Sequence, residues 1–220
     1  MQCIKDTIKN INIVIGCNIE CSYCYARMNN NRFHTIDDFN KPVFFENKLK
    51  MLNNKRHTAY LLTGQSDLSG WNEEWKDKVF SKMKENENTQ YIFLTKRPEN
   101  INLKETPDNG WFGVTVTSSK EKTRIDYLRN NIKAKHYHIT FEPMFDDVGK
   151  LDLNNISWIV IGTETGNRKG KISSKREWVF NIYNQAKEKN IPVFMKEDLL
   201  GILNEDEFVQ EFPKEFGGIK

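Results

Sequence analysis

Residues 11–26 read INIVIGCNIECSYCYA, and the fold is decided there. An apolar run, Ile11 to Ile15, stops at Gly16 and delivers Cys17, Cys21 and Cys24 within eight residues. A β-branched run closed by glycine is expected to be a buried strand that ends in a loop. Three thiols so close cannot all pair as disulfides, and a structural zinc site usually takes four protein ligands. A 4Fe-4S cluster held by three cysteines instead leaves one iron open. Zinc, or a set of inert thiols, is the rival reading.

Working outward, the same pattern of an apolar run followed by polar residues recurs. Ala59–Leu62, Tyr91–Leu94, Trp111–Val116, Tyr137–Phe141, Trp158–Ile161 and Ile191–Met195 complete a set of seven runs. Runs that are apolar on both faces suit parallel strands covered by helices, and their spacing suits repeated βα units. The residues after each run carry chemistry: Cys17; Gly64, Gln65, Ser66 and Asp67; Thr95, Lys96 and Arg97; Thr115 and Thr117; Glu142; Glu164; Lys196 and Glu197. Barrels of this kind place their sites at the carboxyl ends of the strands. A flavodoxin-like open sheet would do the same. The number of runs favours a partial (β/α) barrel of about six to seven parallel strands, in the α/β class.

Between the runs, Pro42 is expected to open a helix through Leu52, and Asn72 to cap one through Met83, with Glu73 and Glu74 in its first turn. Ser119 starts a weaker helix, and Ser174 with Glu177 forms a capping box for a helix ending near Asn190. Residues 27–40 read as an exposed loop, and the tail from Leu199 to Lys220 as a short element laid against the barrel. The whole chain, 1–220, is expected to be one domain.

Composition sets looser bounds. The chain has 220 residues, 38% hydrophobic and 29% charged, enough for one core. No run reaches the length of a membrane span, and the first residues lack a leader pattern. Three clustered cysteines among four fit a reducing cytoplasm better than a disulfide framework. Cys3 is expected to pack as a small apolar side chain. With 33 basic and 30 acidic residues the net charge of +3 does not by itself indicate nucleic acid, and the basic stretches 133–138 and 167–175 read as solvated surface. His136 and His138 read as packing or surface residues.

The spacing Cys-x3-Cys-x2-Cys, with Tyr23 before the third cysteine, resembles the radical SAM superfamily. TGQSDLSGW, FLTKRPENI, WFGVTV, FEPMF, WIVIGTETG and IPVFMK are similar to segments of an uncharacterised branch of it found in phages and mobile elements. RKGKISSKREWV and IPVFMKEDL resemble the radical SAM mobile pair proteins, and the cysteine loop more distantly resembles spore photoproduct lyase.

The resemblance implies a radical SAM type of barrel, with Cys17, Cys21 and Cys24 as cluster ligands on a loop spanning 17–30. S-adenosylmethionine would take the open iron, with Tyr23 beside its adenine. It implies a methionine-binding edge at Gly64, Gln65 and Ser66, although Thr63-Gly64-Gln65 departs from the Gly-Gly-Glu common there. Lys96 would meet the cofactor carboxylate and Thr95, Thr115 and Thr117 the ribose hydroxyls.

The implied activity is reductive cleavage of S-adenosylmethionine to a 5′-deoxyadenosyl radical that takes hydrogen from a substrate. An electron donor such as flavodoxin or ferredoxin would serve it, and a second radical SAM protein could be its pair. A non-enzymatic Fe–S sensor module and a partner subunit are the alternatives. The short tail is expected to leave no room for an auxiliary-cluster domain.

On the substrate side, Asp67, Glu142, Glu164 and Lys196 come from four strand ends and are expected to line one cavity as catalytic residues. Three carboxylates with one or two cations suit a polar small molecule or a single extruded residue. They suit a phosphate backbone poorly.

Overall fold

All seven apolar runs supply strands. A computed structural model describes residues 2–54 and 58–217. It gives β1 (Ile8–Asn10), a two-residue hairpin of β2 (Val14–Ile15) with β3 (Val43–Phe44), then β4 (Ala59–Leu61), β5 (Gln90–Thr95), β6 (Gly110–Thr115), β7 (His136–Phe141), β8 (Ile156–Ile161) and β9 (Val193–Met195). The main sheet runs β1-β4-β5-β6-β7-β8-β9 with every pair parallel, so each unit lies beside the next in chain order and the sheet curls into a half-barrel. This is an α/β fold, as the runs predicted.

The first strand is displaced from its expected position. Ile8–Asn10 pairs with β4, and Ile11 N–H still donates to Leu61 O at 3.0 Å. Ile13 N–H then bonds back to Ile11 O at 3.1 Å, a tight turn that lifts Val14 and Ile15 out of the ladder and onto Val43–Phe44. Ile11, Ile13, Val14 and Ile15 are all buried in either path, and only half-buried Asn12, at the turn itself, interrupts the run.

Helices α1 (Ile4–Thr7), α2 (Tyr25–Phe33), α3 (Glu73–Lys84), α4 (Thr123–Asn131) and α5 (Arg176–Glu188) fill most connections. Asn72 caps α3 as expected, its Oδ1 accepting Trp75 N–H at 2.9 Å. Other expectations are corrected. Pro42 opens no helix, because Val43 and Phe44 pair as a strand; a 3-10 helix over Glu46–Asn53 follows. Residues 25–33 form α2, so the stretch read as a loop is half helical. Ser119 and Ser174 cap nothing. Ser119 bonds Asp146 through both N–H and Oγ, and Ser174 Oγ reaches Thr163 Oγ1 at 3.0 Å.

The two faces of the sheet are covered differently. On the outer face Phe93 and Phe112 stack 4.9 Å apart with Phe80 of α3 edge-on to both, and Ile125, Leu128, Val179, Ile182 and Ala186 of α4 and α5 extend the same core. The inner face, toward the amino ends of the strands, is filled by Ile8, Ile92, Trp111, Trp158 and Phe194 beneath Phe216. The tail puts Phe216 there: Met195 N–H bonds Val209 O and Glu211 N–H bonds Val193 O, and Thr58 Oγ1 holds Phe216 O at 2.5 Å across the sheet. The expected tail against the barrel is thus a plug for one end, with residues 218–220 outside the described part. Its counterpart at the carboxyl end stays polar.

Candidate functional site

The cysteine loop is clamped before it begins. Gly16 adopts φ +115°, and a Cβ there would lie 2.8 Å from Pro42 Cα, so only glycine fits. Gly16 N–H donates to Gln65 O at 2.9 Å and Cys17 N–H to Phe39 O at 2.6 Å, tying the loop to both neighbours. Arg27 donates from Nη2 to Cys17 O (2.7 Å) and Asn40 Oδ1 (2.8 Å), with its guanidinium over the Phe39 ring. Cys24 caps α2, its Sγ accepting Arg27 N–H at 3.4 Å. Ile15, Ala26, Ile36 and Phe39 form an apolar floor against Cys17 and Cys24.

The three thiols are half-buried and unpaired. Burial pushes the Cys17 thiol up to about 11, and Asp67, Cys21 and Cys24 act in the same direction. Tyr23 is likewise raised, by burial first and then by Cys21. Among the described residues, no group of three or more His, Cys, Asp or Glu side chains converges to hold a single metal ion. The three half-buried thiols sit on one clamped loop.

Facing this loop stand the strand-end residues. Lys96 Nζ lies 3.4 Å from Thr115 Oγ1 and 5.9 Å from the Tyr23 ring centroid, so it links the cysteine loop to the half-barrel interior. Gly64 O accepts the Tyr25 hydroxyl at 2.6 Å, Gln65 O accepts Gly16, and Ser66 Oγ accepts Trp71 Nε1 at 3.0 Å. A Cβ at Gly64 would sit 2.9 Å from Asn12 Oδ1, so the Asn12 side chain would have to move aside. These residues form the edge against which the loop rests.

The acidic residues do not converge as free carboxylates. Asp67 is buried with both oxygens engaged: Oδ1 accepts Ser69 N–H, Ser69 Oγ (2.7 Å) and Thr95 Oγ1 (2.6 Å), and Oδ2 accepts Lys96 N–H at 2.8 Å. It fixes the β4 and β5 ends together and engages the Thr95 hydroxyl in doing so. Thr117 is a local anchor too, its N–H and Oγ both on Glu121. Glu164, its side chain 2% exposed, accepts Arg168 Nε at 2.5 Å and Nη2 at 2.8 Å and the Ile172 N–H at 3.3 Å. Arg168 holds its carboxyl below the usual range. It shapes its own loop. Asp67, Glu142 and Glu164 each have hydrogen-bonding or ion-pair partners within the protein.

Glu142 and Lys196 do meet, in an ion pair, and Asp198 joins at 3.1 Å from Lys196 Nζ. Burial opposes the Lys196 charge, but Glu142 and Asp198 outweigh it and raise its basicity. Gly162 makes room for the triad, since a Cβ would lie 3.1–3.2 Å from all three side chains.

Asp198 and Arg27 escaped the sequence reading. Asp198 lies two residues past a noted lysine and Arg27 three past the last cysteine, but nothing local marks their reach. His138 is a buried packing residue, as expected, yet a polar one. Its Nε2 sits 3.0 Å from Phe93 O across Gly113, whose missing Cβ would fall 2.4 Å from the ring, and Nδ1 has no partner. Burial lowers it to about 4.

A family described as "Protein of unknown function (DUF5131)" matches residues 2–217. The chain belongs to that family. The match takes in every strand and the whole described site. Lipase 1 of Staphylococcus aureus, in strains Mu50, N315 and COL, is 35% identical over 98 residues, 44% of this chain. The chain spans 14% of the length of those lipases, and it contains no Gly-x-Ser-x-Gly of the kind a nucleophile elbow needs. No solved structure matches it. Among the described residues no helix is long and apolar enough to cross a membrane.

Proposed function

We propose that the protein is a radical SAM enzyme working at the carboxyl mouth of its half-barrel. The observation that carries this reading is one of placement. The three-thiol loop follows β2, just past the first strand of a sequential parallel half-barrel, and lies against the ends of the next two, beside a cation and a row of hydroxyls. In that reading Cys17, Cys21 and Cys24 hold a 4Fe-4S cluster. When bound and reduced by an external electron donor, the cluster would supply one electron to the sulfonium of S-adenosylmethionine, cleaving it to methionine and a 5′-deoxyadenosyl radical.

The chain's own residues orient and shield. Lys96 presents a charge-assisted donor to a carboxylate beside Tyr23. Gln65 offers a side-chain amide at the loop edge, while the backbone carbonyls of Gly64 and Gln65 already bind Tyr25 and Gly16. Thr115, and Thr140 in the same layer of β7, line the interior below. Lys196, held protonated between Glu142 and Asp198, fixes a positive charge on the far wall. Substrate hydrogen bonds fall to this triad rather than to Asp67 or Glu164.

The test is anaerobic reconstitution with iron and sulfide. About four iron atoms per chain are expected, lost in Cys17→Ala, Cys21→Ala or Cys24→Ala and kept in Cys3→Ala, because Cys3 Sγ bonds Glu197 instead. Reduction with S-adenosylmethionine should release 5′-deoxyadenosine. Unchanged iron in Cys21→Ala, or no 5′-deoxyadenosine from the loaded protein, overturns the reading.

A further inference from the structure

Between Thr163 and Lys175 the chain carries four cations, Arg168, Lys169, Lys171 and Lys175, against the single carboxylate Glu164. The structure divides them. Arg168 is turned inward, its Nε and Nη2 both on buried Glu164. That clasp cancels the loop's one negative charge and bends the segment into an arch. Lys169, Lys171 and Lys175 are left on the exposed side, and none has a carboxylate partner among the described residues. Lys171 Nζ reaches only its own loop, at Gly166 O 3.5 Å away, and Lys175 lies over the Trp178 ring.

The backbone of the arch is open as well. Gly166 and Gly170 take φ +80° and +75°, and a Cβ at either would meet nothing within 4 Å. Their glycines answer to the turn alone, so the main chain there is accessible to a ligand. Ser174 stitches the base of the arch to the neighbouring strand end through Thr163 Oγ1 and Met144 O. The arch follows β8 and so stands on the rim of the mouth, next to the β9 end that carries Lys196.

We infer that the substrate presented at this mouth belongs to a nucleic acid, whose phosphates are held by the arch of residues 165–175. The inference rests on the radical SAM reading for what happens to that substrate, but not for binding. The carboxylates of the mouth, expected to suit a phosphate backbone poorly, are already engaged: Asp67, Glu142 and Glu164 each have a cation or several donors. Three unpaired lysines on an exposed arch supply the sequence-independent attraction that phosphates need. A membrane surface is the poorer fit, because the mouth beside the arch is lined with hydroxyls and an ion triad that a lipid plane would not reach.

The experiment uses the full chain and a fluorescein-labelled oligonucleotide, single-stranded and as duplex, followed by anisotropy from about 50 to 200 mM salt. Binding is expected, weakened at least tenfold in Lys169→Glu/Lys171→Glu/Lys175→Glu. The slope of log affinity against log salt should become shallower by about 2 to 3. Lys84→Glu/Lys104→Glu, at the other end of the strands, should bind as the wild type does.

Equal binding by the triple variant overturns the inference, and so does displacement of the oligonucleotide by anionic phosphatidylserine vesicles. Lys169→Gln/Lys171→Gln/Lys175→Gln, with no charge reversal and an unchanged melting temperature, should give an intermediate loss; wild-type affinity there also overturns it. The assay needs no cluster. Iron content and substrate-free 5′-deoxyadenosine formation should stay at wild-type level in the triple variant, so failure of oligonucleotide binding and failure of the radical SAM reading separate cleanly.

Discussion

At the amino ends of the strands the inner face of the sheet carries Trp111, Trp158, Phe194 and, from the tail, Phe212 and Phe216 in ring contacts of 4.7–6.3 Å. At the carboxyl ends the same face carries Thr115, Thr140, Glu142 and Lys196 beneath the cysteine loop. The strands run parallel through both ends, with one register shift, between β7 and β8 at Tyr137 and His138. One end buries large aromatic area and is sealed by the tail; the other keeps hydroxyls and charges and is covered only by loops. Stability and chemistry are thus separated along the strand axis, and substitutions at the two ends should differ accordingly.

The largest effect is expected in the plug. Trp158 is buried against Phe216 and Phe212, with its Nε1 on Glu211 O at 3.1 Å. Trp158→Ala should cost about 3–5 kcal/mol, read as the shift in urea midpoint. A loss under about 1 kcal/mol would mean that the tail does not seal the sheet.

His138 lies between the two regions and tests where the polar part begins. Burial holds it neutral, with a titration lowered to about 4 from its ordinary 6.5. Below pH 6.5 the unfolded chain takes up a proton that the folded chain refuses until about pH 4. Stability therefore falls as pH drops through that window, by about 3 kcal/mol over its full width. His138→Gln should lack this segment of the pH–stability curve. Glu164 acts in a lower window: its depressed titration favours the fold above the ordinary carboxylate range, and that contribution disappears as pH falls through the folded value. A wild-type curve that is flat between pH 6.5 and 4 would contradict the buried neutral ring.

At the mouth itself Asp67 should behave more like a core residue than a reactive one. Asp67→Asn turns an N–H toward the Lys96 N–H that Oδ2 now accepts, and removes the charge from three other bonds. A loss of about 2 kcal/mol is expected, visible in the melting temperature of the cluster-free chain. An unchanged melting temperature would return Asp67 to the list of free acids.

Asp67 also shows how far the sequence could be read. Six of the seven sheet strands were legible because buried parallel strands are apolar on both faces, as in IFL and WIVI, and no helix of that composition would be so short; β1 (Ile8–Asn10) was not among the runs. The carboxyl-end location of the polar residues followed from topology. The path of Ile11–Ile15 was read as one continuous strand, although Asn12 marks the turn between Ile11 and Ile13. The partners of the acids were not legible either. Glu164 and Arg168 are four residues apart in a segment with no helix, and Asp67 reaches Thr95 and Lys96 across 28 and 29 residues. Strand-end chemistry is local in sequence; its neutralisation is set by the fold.

The smallest expected effect on stability, and the sharpest on function, is at Lys96. Its Nζ has one long contact, 3.4 Å to Thr115, and lies near the Tyr23 ring without an acidic partner among the described residues. Lys96→Met keeps the apolar stem and removes only the charge, so stability should change by less than about 0.5 kcal/mol. If Lys96 meets the carboxylate of S-adenosylmethionine, loss of that charge-assisted bond is worth about 1.5–3 kcal/mol, or roughly 10- to 100-fold in affinity. Calorimetric titration of the reconstituted chain with S-adenosylmethionine measures it. A variant that melts like the wild type and binds the cofactor as tightly would leave Lys96 as a rim cation and move the carboxylate site elsewhere on the mouth. One that loses several degrees of melting temperature would mean that the contact with Tyr23 and Thr115 holds the loop in place, and the division between a stabilising end and a reactive end would be less sharp than the aromatic plug implies.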